Sequence, residues 1–486
     1  MTGPRPAARM QPVVLIDADA DDEDAPGSAG ASRPVSERRG PRWSGARPGW
    51  RGWWPAAVAV ALLVGGAAVA THVAARTSEA RADAIAAVPG FVRPLDGPPV
   101  ELWRAPAGGR GGVVSAGGLL VTVVETAESW RVQGHEPRSG DVVWGVEATA
   151  RSRGPGLDPV VVTCPPGPTG SDVVLCRWTA SRPVAGRGEG PMPPTEVLAL
   201  DARDGTRLGA WDVTDAVVGL RRVEDDVVLA AVDADGRVRV ERRAGTDGTV
   251  RWSHRAPEAL TLRSGSRAVP SLTVAGEVVV LAGPVVAVLA ADSGEVVSQG
   301  ERGRRLVVGP LSGGRFATWA TGTGAFLHTA DGRPVARVPG VPVRLAADDG
   351  SLDVLLSDAG SRVLALDRDG APVWRLVTVQ SPAAVVDGAV LLWGEEGVSV
   401  ADGADGRLLW EQRLPEGVPF APVTDGRLVL AAEPDGLGGR ALVARGLRDG
   451  VRVWSVPLPE ATARLEGVGG ALVARSDRES VVLGPP

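Results

Sequence analysis

The stretch "ALDRDGAPVW", Ala365 to Trp374, sets two aspartates around an arginine, then a glycine, then an indole four residues past that glycine. Alone it fits a metal-binding loop, an acid/base site, or a turn between two strands. Its sister segments decide between them. Aligned on Gly370, eight copies run through the chain: "WRVQGHEPRSGDVVWGV", "VLALDARDGTRLGAW", "VRVERRAGTDGTVRWSH", "VAVLAADSGEVVSQG", "AFLHTADGRPVARV", "VLALDRDGAPVWRL", "VSVADGADGRLLWEQ" and "ALVARGLRDGVRVWSV". Their anchor glycines are Gly140, Gly205, Gly248, Gly294, Gly332, Gly370, Gly406 and Gly450, spaced by 65, 43, 46, 38, 38, 36 and 44 residues. The long first interval holds a Pro- and Gly-rich insertion around Pro165 to Pro194. Five copies place Trp four residues after the glycine, at Trp144, Trp252, Trp374, Trp410 and Trp454. The second copy carries Trp211 instead, and the fourth and fifth have Ser298 and Ala336 at that position.

Another apolar run precedes each copy, as in "GGLLVTVV", "DDVVLAAV" and "DGAVLLWG". A unit of roughly 40 residues with about four short strands is a β-propeller blade. One such sheet cannot bury both faces alone. Stacking blades around an axis buries them, with Trp and Val filling the layers between. The turn glycine supplies positive φ, and the aspartate before it bonds nearby backbone. A catalytic pair is needed once, whereas this pattern recurs with varying acids, such as Thr246-Asp247 and Asp292-Ser293. The acids are therefore read as turn builders. Asp369→Ala should leave any activity intact, while Gly370→Val should destabilise one blade turn.

The two ends of the domain suit ring closure. "VELWRAP", with Trp103, reads as a lone outer strand, and "GGALVARSDRESVVLG" reads as inner strands lacking one. Pairing them would remove both free edges. Eight copies plus this split unit make nine. Propellers commonly have about four to eight blades, so an all-β propeller of eight four-stranded blades is expected, with seven and nine as the neighbouring counts.

Before the propeller, residues 1–52 read as a disordered tail: "DADADDEDAPGSAGAS" is acidic and has nothing to bury, and an arginine-rich stretch follows it. Residues 53–75, "WWPAAVAVALLVGGAAVATHVAA", suit a single membrane-spanning helix. The arginines before it, and the indoles of Trp50, Trp53 and Trp54 at that end, place the tail in the cytoplasm and the propeller outside. Residues 76–99 read as a linker, and 100–486 as the extracytoplasmic propeller. A cleaved signal peptide is the alternative, for which the preceding tail is too long. The net charge of −6 gives no sign of nucleic-acid binding. All 52 basic residues are arginine, and Lys, Asn and Tyr are absent, a bias suited to an actinobacterial-type envelope.

The apolar strand ending in Leu-Asp, the glycine turn and the Trp of "VLALDARDGTRLGAW" and "VLALDRDGAPVWRL" resemble the pyrroloquinoline-quinone-like propeller repeat. The likeness covers the chain from Val100 onward. The family holds quinoprotein alcohol dehydrogenases, for which the resemblance implies a quinone near the axis, Ca²⁺ with Asn and acidic ligands, and often a vicinal cysteine pair. It also holds a non-catalytic outer-membrane assembly lipoprotein, for which it implies a lipidated cysteine near the N-terminus. This chain has no Asn, and its two cysteines, Cys164 and Cys176, are neither adjacent nor near the N-terminus. No cofactor, metal or catalytic residue is therefore expected.

Cys164 and Cys176 flank a Pro/Gly loop between two strands, which outside the cell suits a disulfide, with two buried thiols as the alternative. His135, His254 and His328 fall in different repeat units with no zinc spacing, and His72 lies at the end of the expected span. "DADADDED" has Asp22 where a calcium loop wants Gly. The expected function is a membrane-anchored scaffold whose propeller face binds a protein or cell-wall ligand. A degenerate quinoprotein dehydrogenase or other propeller enzyme, and a transmembrane sensor signalling through the tail, are the alternatives.

Overall fold

The structure, a computed structural model, describes residues 80, 84 and 86–486, without 107–111, 151–159, 169, 180–193, 260–269, 276, 283–286, 300–305, 312–314, 321–323 and 415–418. The tail and the span expected at 53–75 lie outside the described residues. Among the described residues, no helix is long and apolar enough to cross a membrane.

The strands among these residues assort into nine sheets. Blade 1 runs Val114–Ala116, Leu119–Glu125, Ser129–His135 and Val142–Ala150. Blade 2 has Val173–Thr179, Thr195–Asp201 and Arg207–Val213, with Thr163 bridging Arg177 in the innermost place. Blade 3 runs from Ala216–Val223 to Val250–Ala259, blade 4 from Ser271–Ala275 to Val296–Gln299, and blade 5 from Leu306–Pro310 to Pro334–Val338. Blade 6 runs from Val341–Pro342 to Pro372–Val377 and blade 7 from Ser381–Val386 to Leu408–Arg413, with Ala347–Asp348 added parallel at its inner edge. Blade 8 runs from Val423–Thr424 to Arg452–Pro457. Blade 9 is split: Arg464–Val468, Ala471–Arg475 and Glu479–Gly484 are completed by Val100–Pro106, antiparallel to Glu479–Gly484.

The count is therefore nine, where the sequence leads to an expectation of eight. Every repeat copy is a real blade, including the two without Trp, and the split unit is a ninth. The core shows why the ring holds together. Nine clusters of buried apolar side chains lie one between each pair of neighbouring blades, including blades 9 and 1. There is no single central core. Each blade buries its two faces only against its neighbours, as radial stacking requires.

The repeated motif builds the contact between blades. All eight anchor glycines have positive φ, from 67° at Gly450 to 84° at Gly332. At Gly406 the reason is double. Its φ is +74°, and a Cβ there would lie 2.6 Å from the Trp374 ring of the preceding blade. Trp374 stacks over the next blade's turn and donates its Nε1–H to the Gly403 carbonyl at 2.7 Å. The same bond runs from Trp103 to Pro137, Trp144 to Ala202, Trp211 to Gly245, Trp252 to Ala291 and Trp410 to Leu447, at 2.9–3.0 Å. The acceptor in each case stands three residues before an anchor glycine. Trp211, two positions further along its strand, projects to the same side and makes the same bond. The outer strands of blades 4 and 5 carry no indole, and Val297 and Ala336 lie over Gly332 and Gly370 instead. Trp454 has the indole but no acceptor for Nε1. Its neighbour is the split blade, which has no such turn between its last two strands.

In the opening stretch, Asp367 Oδ1 accepts from the amides of Asp369 and Ala371. Asp204 and Asp247 act likewise on Thr206 and Thr249, and these amide donors hold both carboxyls below the usual range. The recurring acids are bound to their own turns.

Residues 86–98, which read as linker, pack into the ring. Phe91 and Val92 are fully buried and Leu95 nearly so. Phe91 enters the layer between blades 7 and 8, and Val92 and Leu95 the layer between blades 8 and 9. Phe91 bridges Thr424 and Val92 bridges Gly470, both parallel. The Leu95 amide donates to Asp425 Oδ2 at 3.0 Å, and Oδ1 of this fully buried carboxylate accepts from the amides of Arg427 and Leu428. Val92 and Leu95 thus pack in the layer where Trp454 lacks an acceptor.

Two histidines occupy equivalent places. His328 Nδ1 donates to the Gly332 carbonyl at 3.3 Å, which leaves Nε2 to accept from Thr318 Oγ1 at 2.8 Å. His135 pairs with Gly140 and Thr122 in the same way. Burial pushes His328 below its ordinary 6.5. The folded state thus binds this proton less readily than the unfolded chain. The stabilising neutral form is fully present above that value and is lost as pH falls below it. Melts at falling pH should show the loss, with a slope no steeper than about 1.4 kcal/mol per pH unit for one proton. His254 is shifted the same way by burial, so His328→Gln should reduce the loss rather than abolish it.

Candidate functional site

The inner strands enclose an axial cavity of about 710 Å³. Blades 1, 2, 3, 8 and 9 contribute to its wall, and residues 86–90 lie along it before entering the blade layers. Most of the wall is aliphatic. Val113 and Val114 come from blade 1, Leu220 from blade 3, Val423 from blade 8, and Leu465 and Val468 from blade 9. None of the eight turn glycines or the blade-packing tryptophans lines it. The motif legible in sequence builds the frame, and the site lies at its centre.

Three guanidiniums face the cavity: Arg177, Arg221 and Arg475, with Glu466 as the one carboxylate of the lining. Arg177 follows Cys176 on the first full strand of blade 2. Burial, and next to it the like charge of Arg221, push its guanidinium below the usual range. Arg221 is exposed to the cavity, with one Nη donating to the Leu220 carbonyl at 2.9 Å. Arg475 is nearly buried and lies across Gly112, and burial lowers its pKa while Glu466 raises it. Glu466 also pairs with Arg464 at 3.1 Å.

Elsewhere, partly buried arginines have carboxylates. Arg445 meets Glu433 at 2.8 Å, Arg242 meets Asp226 at 2.7 Å, and Arg243 meets Glu241 at 2.7 Å. Among the described residues, no carboxylate lies within ion-pair distance of Arg177 or Arg221. Sequence reading misses these residues, and the signal for them is slight. "VVLCRW" and "VVGLRRV" each break an apolar strand with arginine. So does "ALVARG", whose Arg445 is merely paired.

Cys164 and Cys176 form a disulfide, and both are buried. Cys164 lines the cavity, so the bond ties the Pro165–Gly167 turn to the strand that carries Arg177. Replacing both by serine should lower stability by about 3 kcal/mol, from the loop-closure entropy of the unfolded chain. Denaturant melts compared with the parent check this. Among the described residues, no cluster of three or more His, Cys, Asp or Glu could hold a metal.

The Ca²⁺ that the repeat implies beside its quinone does not fit this cavity. Three guanidiniums against one carboxylate oppose a dication, which needs six to eight oxygen ligands. The disulfide spans twelve residues rather than joining neighbours.

Comparison with known proteins follows the fold. No curated protein sequence matches the chain. BamB from Moraxella catarrhalis is similar in structure, at 16% identity and TM-score 0.43, covering 80% of this chain and 100% of its own. Quinohemoprotein alcohol dehydrogenase from Comamonas testosteroni is similar at 11% identity and TM-score 0.41, covering 79% of this chain and 76% of its own. The Dos1 propeller is similar at 11% identity and TM-score 0.39, covering 79% and 95%. Residues 359–485, from the outer half of blade 6 through blade 9, match the model of the family described as outer membrane protein assembly factor BamB.

Proposed function

We propose that this protein is a membrane-anchored, extracytoplasmic, non-catalytic scaffold that binds its partner at the axial mouth of the propeller. The axial cavity carries the reading. It is framed by interlocked blades, apolar over most of its wall, and lined by three arginines. Such a site is built to hold a ligand and to discriminate by charge. The matched family, described as an assembly factor, supports a protein-binding role. The anchor and orientation rest on the apolar run and arginine asymmetry of the sequence.

The test uses the purified chain, immobilised and exposed to detergent-solubilised envelope. A partner retained in fixed proportion, and released by Arg221→Glu at the cavity mouth, is expected. Dye-linked alcohol oxidation appearing on addition of pyrroloquinoline quinone and Ca²⁺ would overturn the non-catalytic reading. Cleavage of the tail by protease added outside intact cells would overturn the orientation.

A further inference from the structure

We propose that the axial cavity takes an amphiphilic oxyanion, with a carboxylate or phosphate head at Arg177 and Arg221 and an apolar body against the aliphatic wall. This rests on the cavity being the binding site and narrows what the site holds.

The charge argument comes first. Burial lowers the Arg177 guanidinium, and the like charge of Arg221, which lines the same cavity, lowers it further. Two like charges at a low-dielectric wall are unfavourable unless an anion joins them. The fold matches several other half-buried arginines with carboxylates, as at Arg445 and Glu433, yet it sets this pair beside a void. Glu466, which pairs with Arg464 and acts on Arg475, makes no ion pair with Arg177 or Arg221. Guanidinium forks match the planar oxygens of carboxylate and phosphate, and a bidentate pair fixes orientation as well as charge.

The wall supplies the rest. Ala86, Val88, Val113, Val114, Leu220 and Val468 give apolar contact, which a small inorganic anion would leave unused. The volume, about 710 Å³, lies within the range of roughly 300–1,000 Å³ that encloses compact organic ligands. The disulfide holds Arg177 in place against the cavity, so the cationic side is preformed rather than gathered on binding.

Calorimetric titration of the full-length chain tests this with four soluble probes. Naphthalene-2-carboxylate and 2-naphthyl phosphate carry both parts, 2-naphthol lacks the anion, and inorganic phosphate lacks the body. One site per chain is expected for at least one of the two anionic naphthalenes, and which of them binds tells a carboxylate head from a phosphate head. Naphthol and inorganic phosphate should each bind at least about tenfold more weakly. Arg221→Gln, at the most exposed of the three arginines, should weaken binding about tenfold with an unchanged melting temperature. Arg177→Gln should do the same where it folds.

Naphthol binding as tightly as the anions, or phosphate alone binding as tightly, would overturn the proposal. So would unchanged affinity in Arg221→Gln, or no binding of either anion at about millimolar concentration. If both anions fail while an envelope partner is still retained through the cavity, the ligand class is wrong and the scaffold reading stands. If the anions bind and no partner is retained, the scaffold reading alone fails.

Discussion

Trp374→Ala is expected to destabilise the propeller by about 3–5 kcal/mol, seen as a lower guanidinium-chloride midpoint at unchanged slope. The indole is nearly buried, 7% exposed, in the layer between blades 6 and 7. Its removal opens a cavity and strips the Gly403 carbonyl of its donor. Phenylalanine separates the two effects. Trp374→Phe keeps most of the apolar contact and leaves the carbonyl unpaired, at about 1–3 kcal/mol. Trp454→Phe removes a donor that has no acceptor, so its cost should stay within about 0.5 kcal/mol. Equal losses in the two Phe variants would show that the indole hydrogen bond does not hold the blades together.

Beginning the chain at Val100 is the second large effect. It removes Phe91, Val92 and Leu95, all buried in the layers around blade 8. At about 1.5–3 kcal/mol for each buried side chain, the loss is roughly 5–9 kcal/mol, against a typical total of about 5–15 kcal/mol. Asp425 also loses the Leu95 amide while it stays buried, which adds to the cost. A chain beginning at Ala80 keeps the whole segment and should melt like the parent. Similar melting of the two truncated chains would show that residues 86–98 only lie on the ring.

The frame was legible because it repeats. Each anchor glycine of the eight copies marks a turn, and an indole at fixed spacing marks a layer, so errors at one copy are corrected by the others. Ser298 and Ala336 weakened the pattern without weakening the blades, because Val297 and neighbouring aliphatic side chains fill those layers. The prior range for propellers, not the residues, drew the expectation to eight, and the nine observed is one of its two neighbouring counts. Residues 86–98 escaped because "VPGFVRPLDG" has linker composition, and only contacts with residues more than 300 positions away show Phe91 and Leu95 to be core. The axial arginines escaped for a related reason. Arg177, Arg221 and Arg475 lie on different blades and share no spacing, so only the closed ring brings them together.

The split blade has a consequence for how the protein is made. Val100–Pro106 emerges before any other strand, yet its partner Glu479–Gly484 is synthesised only after eight other blades. Throughout that interval the Trp103 strand has no mate, and an unpaired apolar edge is a template for another chain. The ring is thus completed only by a strand made after every repeat copy. A product cut short before Glu479 would carry every repeat copy and still expose the Trp103 strand. Such a chain is expected to be captured by folding helpers or destroyed by proteases, while the finished chain conceals the same strand.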